Sequence, residues 1–450
     1  MNFIMKTKII SLFLVLIASI VQAQQQKKWT LRECVEFALE NNISVKQFEL
    51  DLLNAEIDKS DAIGDFIPSL NGQASLSSST GLTLNPITNS YENQVLTSAS
   101  FNIGSSLTLF DGLRNFNNLN RAKLNKLAGY YRLDDMKDNI SLTVANAYLQ
   151  ILSNKETLNV IKGQYAITQQ DLERTKALVD NGVVPKGDLL EIEATSATQQ
   201  QQIINAQNAL AISKITLAQL LTITDYENFD IADEGYVIPP SDILDKSPKE
   251  IFNKAVSFRN DIKLSETNLE MAEKDLDIAK GAYYPTLSAF FNYNTRYSDN
   301  AEYPDGSPIN FTDQLWIFDG ISYGLQLNVP VFNGFSVRNN VKRSKIDVQK
   351  STLQYEQDKL DLESNINQAY VDVIGAYKTY EAAEKTVEAR RLAYEYSKER
   401  FNVGLMNSFD FSQSQSRLDN AEAELIRSKY DYIFKLKVLE FYFGIPLDEL

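Results

Sequence analysis

The chain has 450 residues, with 44 Lys and Arg against 59 Asp and Glu, no histidine and one cysteine, Cys34. Lacking His and a second Cys, it excludes the usual zinc sites, histidine-ligated haem, iron–sulfur clusters, a Ser-His-Asp triad and an internal disulfide framework. A net charge of −15 argues against a nucleic-acid backbone as partner, and 18 glycines with 11 prolines, about half the usual share, favour long helices.

In chain order, the first element is a targeting segment. Lys6 and Lys8 precede an apolar run from Ile9 to Val21, followed by Val21-Gln22-Ala23. The run is too short to span a bilayer and fits a signal-peptide core, so residues 1–23 are expected to be removed by cleavage between Ala23 and Gln24. Cys34 lies in a helical pattern and reads as a small buried residue.

The rest of the chain is a tandem repeat. Phe66-Ile67-Pro68-Ser69-Leu70 recurs as Tyr283-Tyr284-Pro285-Thr286-Leu287, an offset of 217. Phe110-Asp111-Gly112 recurs as Phe332-Asn333-Gly334, and Ala147-Tyr148, Gly182 and Asp188 recur as Ala369-Tyr370, Gly404 and Asp410, all at an offset of 222. The repeats are 24–222 and 247–450, with five extra residues in the second between Leu287 and Phe332. Each reads helix, strand pair, long helix, turn, helix. In the first repeat these are Leu31 to Gly64, the strand pair 66–110, the long helix 113–181 and a helix 189–221. In the second, the strand pair is 283–332, the long helix 335–403 and the last helix 410–443. A 69-residue helix is ~100 Å long, about the length of the two shorter helices together, so end-to-end stacking of the short pair beside the long one is expected.

Heptad spacing supports that packing. Ile140, Val144, Ala147, Ile151, Asn154, Leu158, Ile161, Tyr165, Thr168 and Leu172 alternate steps of four and three. Their equivalents 222 residues on, Leu362 to Tyr394, do the same with Arg390 in place of Thr168. A sustained 3.5-residue repeat gives coiled-coil packing.

The strand pairs carry the functional signal. Phe66 to Phe110 holds one charge, Glu92, yet is rich in Ser, Asn and Thr. Phe101, Ile103, Leu107 and Leu109 alternate with Asn102, Gly104, Ser106 and Thr108; Phe291, Tyr293 and Tyr297 alternate with Asn292, Asn294 and Arg296; Tyr323, Leu325, Leu327, Val329 and Val331 alternate with Gly324, Gln326 and Asn328. Charge-poor segments with one apolar and one polar face fit an outer-membrane barrel, with Trp316, Phe318, Tyr293, Tyr297 and Tyr323 as aromatic girdles. Four strands are expected, Leu70–Leu82, Val95–Phe110, Pro285–Tyr297 and Leu315–Phe332. Four cannot close a barrel, and an open edge is not tolerated in lipid. Closure therefore needs several chains: two give eight strands, whose interior side chains would fill, and three give twelve with room for a lumen, which favours a trimer.

The duplicated Phe-Ile-Pro and Tyr-Tyr-Pro, the Asp-Gly and Asn-Gly junctions, and the turns Asn181–Leu190 and Asn402–Asp410 together resemble the TolC family of outer-membrane efflux and export ducts over nearly the whole mature chain. The resemblance implies a mainly α protein in which four strands per chain complete a trimeric twelve-stranded β-barrel in the outer membrane. It also implies a coiled-coil α-barrel tunnel reaching into the periplasm, a periplasmic adaptor protein and an inner-membrane transporter as partners, and no cofactor, metal or catalytic residue. By position it places Asp410 and Gln413 at the periplasmic entrance, and Phe401 and Met406 where some members hold a polar lock. Gly182, Val183, Asp188, Gly404 and Leu405 fall at the helix tips that contact the adaptor. Read by themselves, Asp188 with Glu191 and Asp410 with Gln413 are helix-capping pairs. The stretch 223–246, with Asp225, Glu227, Asp230, Asp233, Glu234, Asp242 and Asp245, matches no calcium loop and is expected to be a solvated acidic linker. An acidic-leaning lumen would favour cations. The alternatives are a secreted coiled-coil stalk with a β head, a periplasmic adaptor, and an enzyme with a glycosidase-like carboxylate pair, which no sequence feature favours.

Overall fold

A computed structural model describes residues 27–85, 89–232, 238 and 241–445. The targeting segment with Ala23 and Gln24, and Asp233 and Glu234 of the acidic stretch, lie outside them.

The element order is β1 (Lys28–Trp29), α1 (Leu31–Asn41), α2 (Ile43–Gly64), β2 (Ser69–Asn85), β3 (Ser90–Phe110), α3 (Arg114–Asp180), α4 (Lys186–Leu220), β4 (Asp230–Ile231), α5 (Pro248–Phe258), α6 (Asn260–Gly281), β5 (Thr286–Ser298), α7 (Phe311–Ile317), β6 (Gly320–Asn328), α8 (Ser336–Asn402) and α9 (Ser408–Tyr442). The duplication is written into the backbone. Helices α1 and α5 have 11 residues each, α2 and α6 22, α3 and α8 67, and α4 and α9 35. Among the described residues, eight of the ten left-handed ones come in pairs 222 apart: Gly112 with Gly334, Leu113 with Phe335, Gly182 with Gly404, and Thr222 with Gly444. The two hairpins share one register, since Leu70 opposite Ser105 becomes Leu287 opposite Leu327 after shifts of 217 and 222. The five extra residues of the second repeat therefore fall in the connection that carries α7.

Two compact units divide the chain. The first comprises the described parts of Met1–Glu49, Arg132–Ile262 and Asp358–Leu450. Its core packs Leu31, Cys34, Val35 and Ala38 of α1 against Val144, Tyr148 and Ile151 of α3, Leu217 of α4 and Ile433 of α9. Cys34 is fully buried, and burial pushes its thiol up to about 12. Of the twenty heptad positions only Arg390 is exposed. The expected helix from Leu31 to Gly64 is broken at Asn42, whose backbone is extended. The break has a purpose: the Asn42 amide donates to the Leu220 carbonyl at 2.9 Å and so joins the end of α4 to the start of α2. The second repeat breaks at Arg259, its equivalent, whose guanidinium lies over the Phe441 and Tyr442 rings and pairs with Asp261 at 2.9 Å. Helices α1 and α5 both start at full capping boxes, Thr30 with Glu33 and Ser247 with Glu250.

The acidic stretch is not wholly solvated. β1 and β4 pair in parallel, and Asp230 accepts from Lys155 and Lys214, each at 2.9 Å, which holds its carboxyl below the usual range despite burial. Two lysines anchor this segment to α3 and α4, a role that sequence spacing alone does not reveal.

The second unit comprises Leu50–Tyr131 and Lys263–Gln357. Its antiparallel sheet has the order β2-β3-β5-β6, with β2 and β6 at open edges. The fourth strand is shorter than Leu315–Phe332. Leu315, Trp316 and Ile317 belong to α7, which starts after the extended Asn310, and β6 ends at Asn328. Asn310 with Asp313 in the first turn is a helix-start pattern that overrides the apolar run behind it. At the junction of strands and helices, Gly112 and Gly281 touch. A Cβ on Gly112 would lie 2.2 Å from the Gly281 carbonyl oxygen, and one on Gly281 would lie 2.8 Å from that of Gly112. Arg121 pairs with Asp275 at 2.6 Å nearby on the same helix pair.

Candidate functional site

The sheet has two chemically distinct faces. Cross-strand register puts Leu70, Leu76 and Leu82 of β2 on the same face as Phe101 and Ile103 of β3, Phe291 and Tyr293 of β5, and Ile321, Tyr323, Leu325 and Leu327 of β6. Most of these side chains are exposed, Tyr323 by 80% and Leu76 by 75%. The other face is a polar ladder. Ser75 bonds Ser100 at 2.7 Å, Ser77 bonds Ser98 at 3.0 Å and Ser69 bonds Ser106 at 3.1 Å, and Asn292, Asn294, Arg296 and Gln326 continue it. Such a sheet is stable only with an apolar medium on one side and water on the other. Among the described residues no helix is long and apolar enough to cross a membrane.

The second feature is the pair of helix tips in the first unit. Both long helices end in a Schellman motif. Val183 N donates to Leu178 O at 2.9 Å and Gly182 N to Val179 O at 2.9 Å; Leu405 N donates to Arg400 O at 2.8 Å and Gly404 N to Phe401 O at 3.1 Å. The left-handed φ of Gly182 (71°) and Gly404 (76°) is what this turn requires. The following helices begin earlier than the capping pairs suggest. Pro185 is the N-cap of α4 and makes no side-chain cap bond. Asn407 caps α9, its Oδ1 accepting from Asp410 N at 2.8 Å and its Nδ2 donating to the Asp410 carboxylate at 3.0 Å. Asp188 and Asp410 thus sit in the first turn, where the helix dipole favours a carboxylate, and neither is the cap.

The four positions expected at the entrance divide by chemistry. Phe401 stacks on Phe411 at 4.6 Å and 2°, Tyr394 stacks on the same ring at 5.7 Å, and Met406 and Leu418 close the cluster. Asp410 and Gln413 stay exposed, and Gln413 accepts from Arg417 at 3.0 Å. The two tips are tied by Arg174, which donates to the Asn402 side chain at 2.5 Å. Beside this bond lies a cavity of about 500 Å³ lined by Val183, Asp188, Gly404, Leu405 and Met406. Val183 and Leu405 are 65% and 70% exposed. Gly182 lies outside the lining.

Sequence reading missed a polar layer above the tips. Gln415 donates to Thr168 at 2.8 Å, Gln199 to Asp419 at 3.2 Å, and Gln164 and Arg391 to Glu422 at 3.1 and 2.9 Å. The signal available was Gln and Thr at positions the helix period assigns to the interior. Burial pushes the Asp419 carboxyl up to about 6, aided by the Glu422 charge and opposed by Gln199. Burial also raises Asp171, against Lys398 and Arg174. Since the folded Asp419 holds its proton more tightly than the unfolded carboxyl, its stabilisation is full below the ordinary pKa and is lost as pH rises through about 6. The tips are expected to be about 1 kcal/mol more resistant to opening at pH 5 than at pH 7.5. Hydrogen exchange of residues 190–200 and 410–420 measures this, and Asp419→Asn should flatten the pH dependence.

A family model described as "Outer membrane efflux protein" matches residues 35–222 and 251–444. The outer membrane protein TolC of Vibrio cholerae is 23% identical over 304 residues, which cover 66% of this chain and 65% of that relative, just under two thirds of its length. The Campylobacter jejuni CmeC outer membrane channel has the same fold, with a TM-score of 0.78 at 18% identity over 92% of this chain and 85% of that one. So does the outer membrane protein VceC of Vibrio cholerae, with a TM-score of 0.76 at 16% identity over 92% and 96%.

Proposed function

Because the chain belongs to the outer membrane efflux protein family and so resides in the outer membrane, we propose that three copies form a passive duct that carries substrates from a periplasmic adaptor and an inner-membrane pump to the exterior. The observation that carries this is the four-stranded sheet with one apolar face, one polar face and two open edges. In lipid both edges need partners. Repeat equivalence states which ones: Ile103 opposite Tyr293 within the chain becomes Leu325 of one copy opposite Leu76 of the next. Gly104 opposite Asn292 becomes Gln326 opposite Ser75. Both pairs keep apolar with apolar and polar with polar, as a closed barrel demands. The joint of Gly112 with Gly281 becomes Gly334 with Gly64 of the next copy.

Energy comes from the pump, since a duct of this kind needs no catalytic group. The tips supply the docking surface: exposed Val183 and Leu405 flank a cavity, and Gly404 leaves its rim open, nothing lying within 4 Å of where a Cβ would stand. The Phe401 and Met406 cluster makes the tip a packed apolar joint, and Asp410 rings the periplasmic entrance as the exposed carboxylate. A photocrosslinker at Leu405 in native cells should capture a periplasmic adaptor identifiable by mass spectrometry. Gly404→Trp should abolish that product while the protein still assembles in the outer membrane. An undiminished adaptor crosslink in the variant would contradict the assignment of the tips.

A further inference from the structure

The connection between β5 and β6 does not simply loop into water. It lies at the end of the sheet opposite the helices, since α6 leads into β5 and α8 follows β6. Its helix α7 folds back onto the apolar face. Phe311 meets Tyr297 edge-on at 5.2 Å and Phe101 at 6.4 Å, both on that face. Thr295, on the same face, donates its hydroxyl to the Leu315 carbonyl at 2.8 Å. The outer side of α7 is amphipathic, with Trp316 76%, Ile317 49% and Phe311 46% exposed beside the exposed Thr312 and Asp313 of its first turn.

Side chains, not water, satisfy the backbone groups where this bend meets the sheet. Gln314, 1% exposed, accepts from Ser298 N at 2.8 Å and donates to Ser298 O at 2.9 Å and Ile309 O at 2.7 Å. Asp299 receives Thr97 N at 3.0 Å and so stitches the next residue to β3. A bend in water needs no such closure, because solvent serves those groups; a bend beside hydrocarbon does. Exposed Trp on a short helix continuous with a lipid-facing surface is the pattern of a membrane-interface contact.

We infer that α7 is an interfacial anchor. It lies on the lipid side of the barrel at the level where outer-leaflet acyl chains meet headgroups, with Trp316 inserted among the lipids. This rests on the outer-membrane duct of the preceding section and adds a lipid contact to it. The helix fixes the height of the barrel in the outer leaflet, a constraint with no counterpart among the described residues of the first repeat, whose hairpin is shorter.

The chain has two tryptophans, Trp29 and Trp316, so Trp29→Phe leaves a single reporter. The variant is reconstituted in phosphatidylcholine vesicles carrying acyl chains brominated near the headgroup, or deeper, with iodide as the aqueous quencher. The expected result is a loss of at least about half the Trp316 emission to the shallow bromolipid, less to the deep one and little to iodide. Strong iodide quenching without bromolipid quenching would put α7 in water, and a shielded Trp316 quenched by neither would put it under another copy of the chain; either overturns the inference. Tyr323→Trp, in a chain lacking both native tryptophans, separates the two claims. If it is quenched by bromolipid while Trp316 is not, only the anchor fails; if neither is, the membrane duct fails with it. Should Trp29→Phe not assemble, the difference between wild type and Trp316→Phe gives the same readout.

Discussion

Gly64→Ala should destroy the assembled form of this protein, although in the isolated chain nothing lies within 4 Å of the added methyl. Gly64 is the last residue of α2 and its φ is ordinary for a helix. In a lone chain the change would be stabilising by roughly 0.5–1 kcal/mol, the usual gain of Ala over Gly in a helix. The repeat reverses that sign. The equivalent residue is Gly281, where a Cβ would sit 2.8 Å from the Gly112 carbonyl oxygen. If copies meet as the repeats do within one chain, Gly64 faces the Gly334 carbonyl of its neighbour at the same distance, and the backbone cannot yield. Overpacking of this kind costs about 1–3 kcal/mol at each of three joints. The expected reading is loss of the detergent-resistant trimer on unheated gels, while Gly163→Ala, also helical and unobstructed, leaves it intact. A Gly64→Ala protein with undiminished trimer would show that copies do not meet through the repeat-equivalent surface.

Arg390→Glu should weaken the periplasmic end of the assembly. Arg390 is the only exposed heptad position among twenty. Its repeat equivalent, Thr168, is buried and accepts from Gln415. The equivalent of Gln415 is Glu193, which is exposed in the isolated chain. Transposed between copies, the neutral Gln–Thr hydrogen bond becomes an Arg390–Glu193 ion pair in a partly buried seam. Reversing one charge places like charges at three seams, at a cost of about 1–3 kcal/mol each. Arg390→Glu should lower the thermal dissociation temperature of the trimer and raise the conductance of the resting duct. Combining it with Glu193→Arg should restore both. A double variant no better than the single one would remove this contact from the account.

These two residues also mark how far the sequence could be read. The duplication was legible because Pro68 and Pro285, Gly112 and Gly334, and Gly182 and Gly404 sit at sharp backbone changes, where few residue types serve. The two-faced strands were legible because period-two alternation survives without charge. What escaped has a common cause: long-range partners. Asn42 breaks a helix because it bonds Leu220, and Asp230 of β4 is held by Lys155 of α3 and Lys214 of α4. None of these three partners is a sequence neighbour. The last three residues of α7 fall within an expected strand because Leu315–Phe318 is an apolar run too short for its period to decide. At the tips, both helices start one turn before the aspartates. Asn407, three residues before Asp410, was the better capping signal.

The most direct test of the central claim is planar-bilayer recording of the purified mature protein. The account predicts discrete single-channel steps that favour cations, with the preference reduced by Asp410→Ala at the entrance. Correctly folded protein that stays soluble without detergent and never conducts would contradict it, leaving a helical stalk whose apolar sheet face must be covered by something other than lipid.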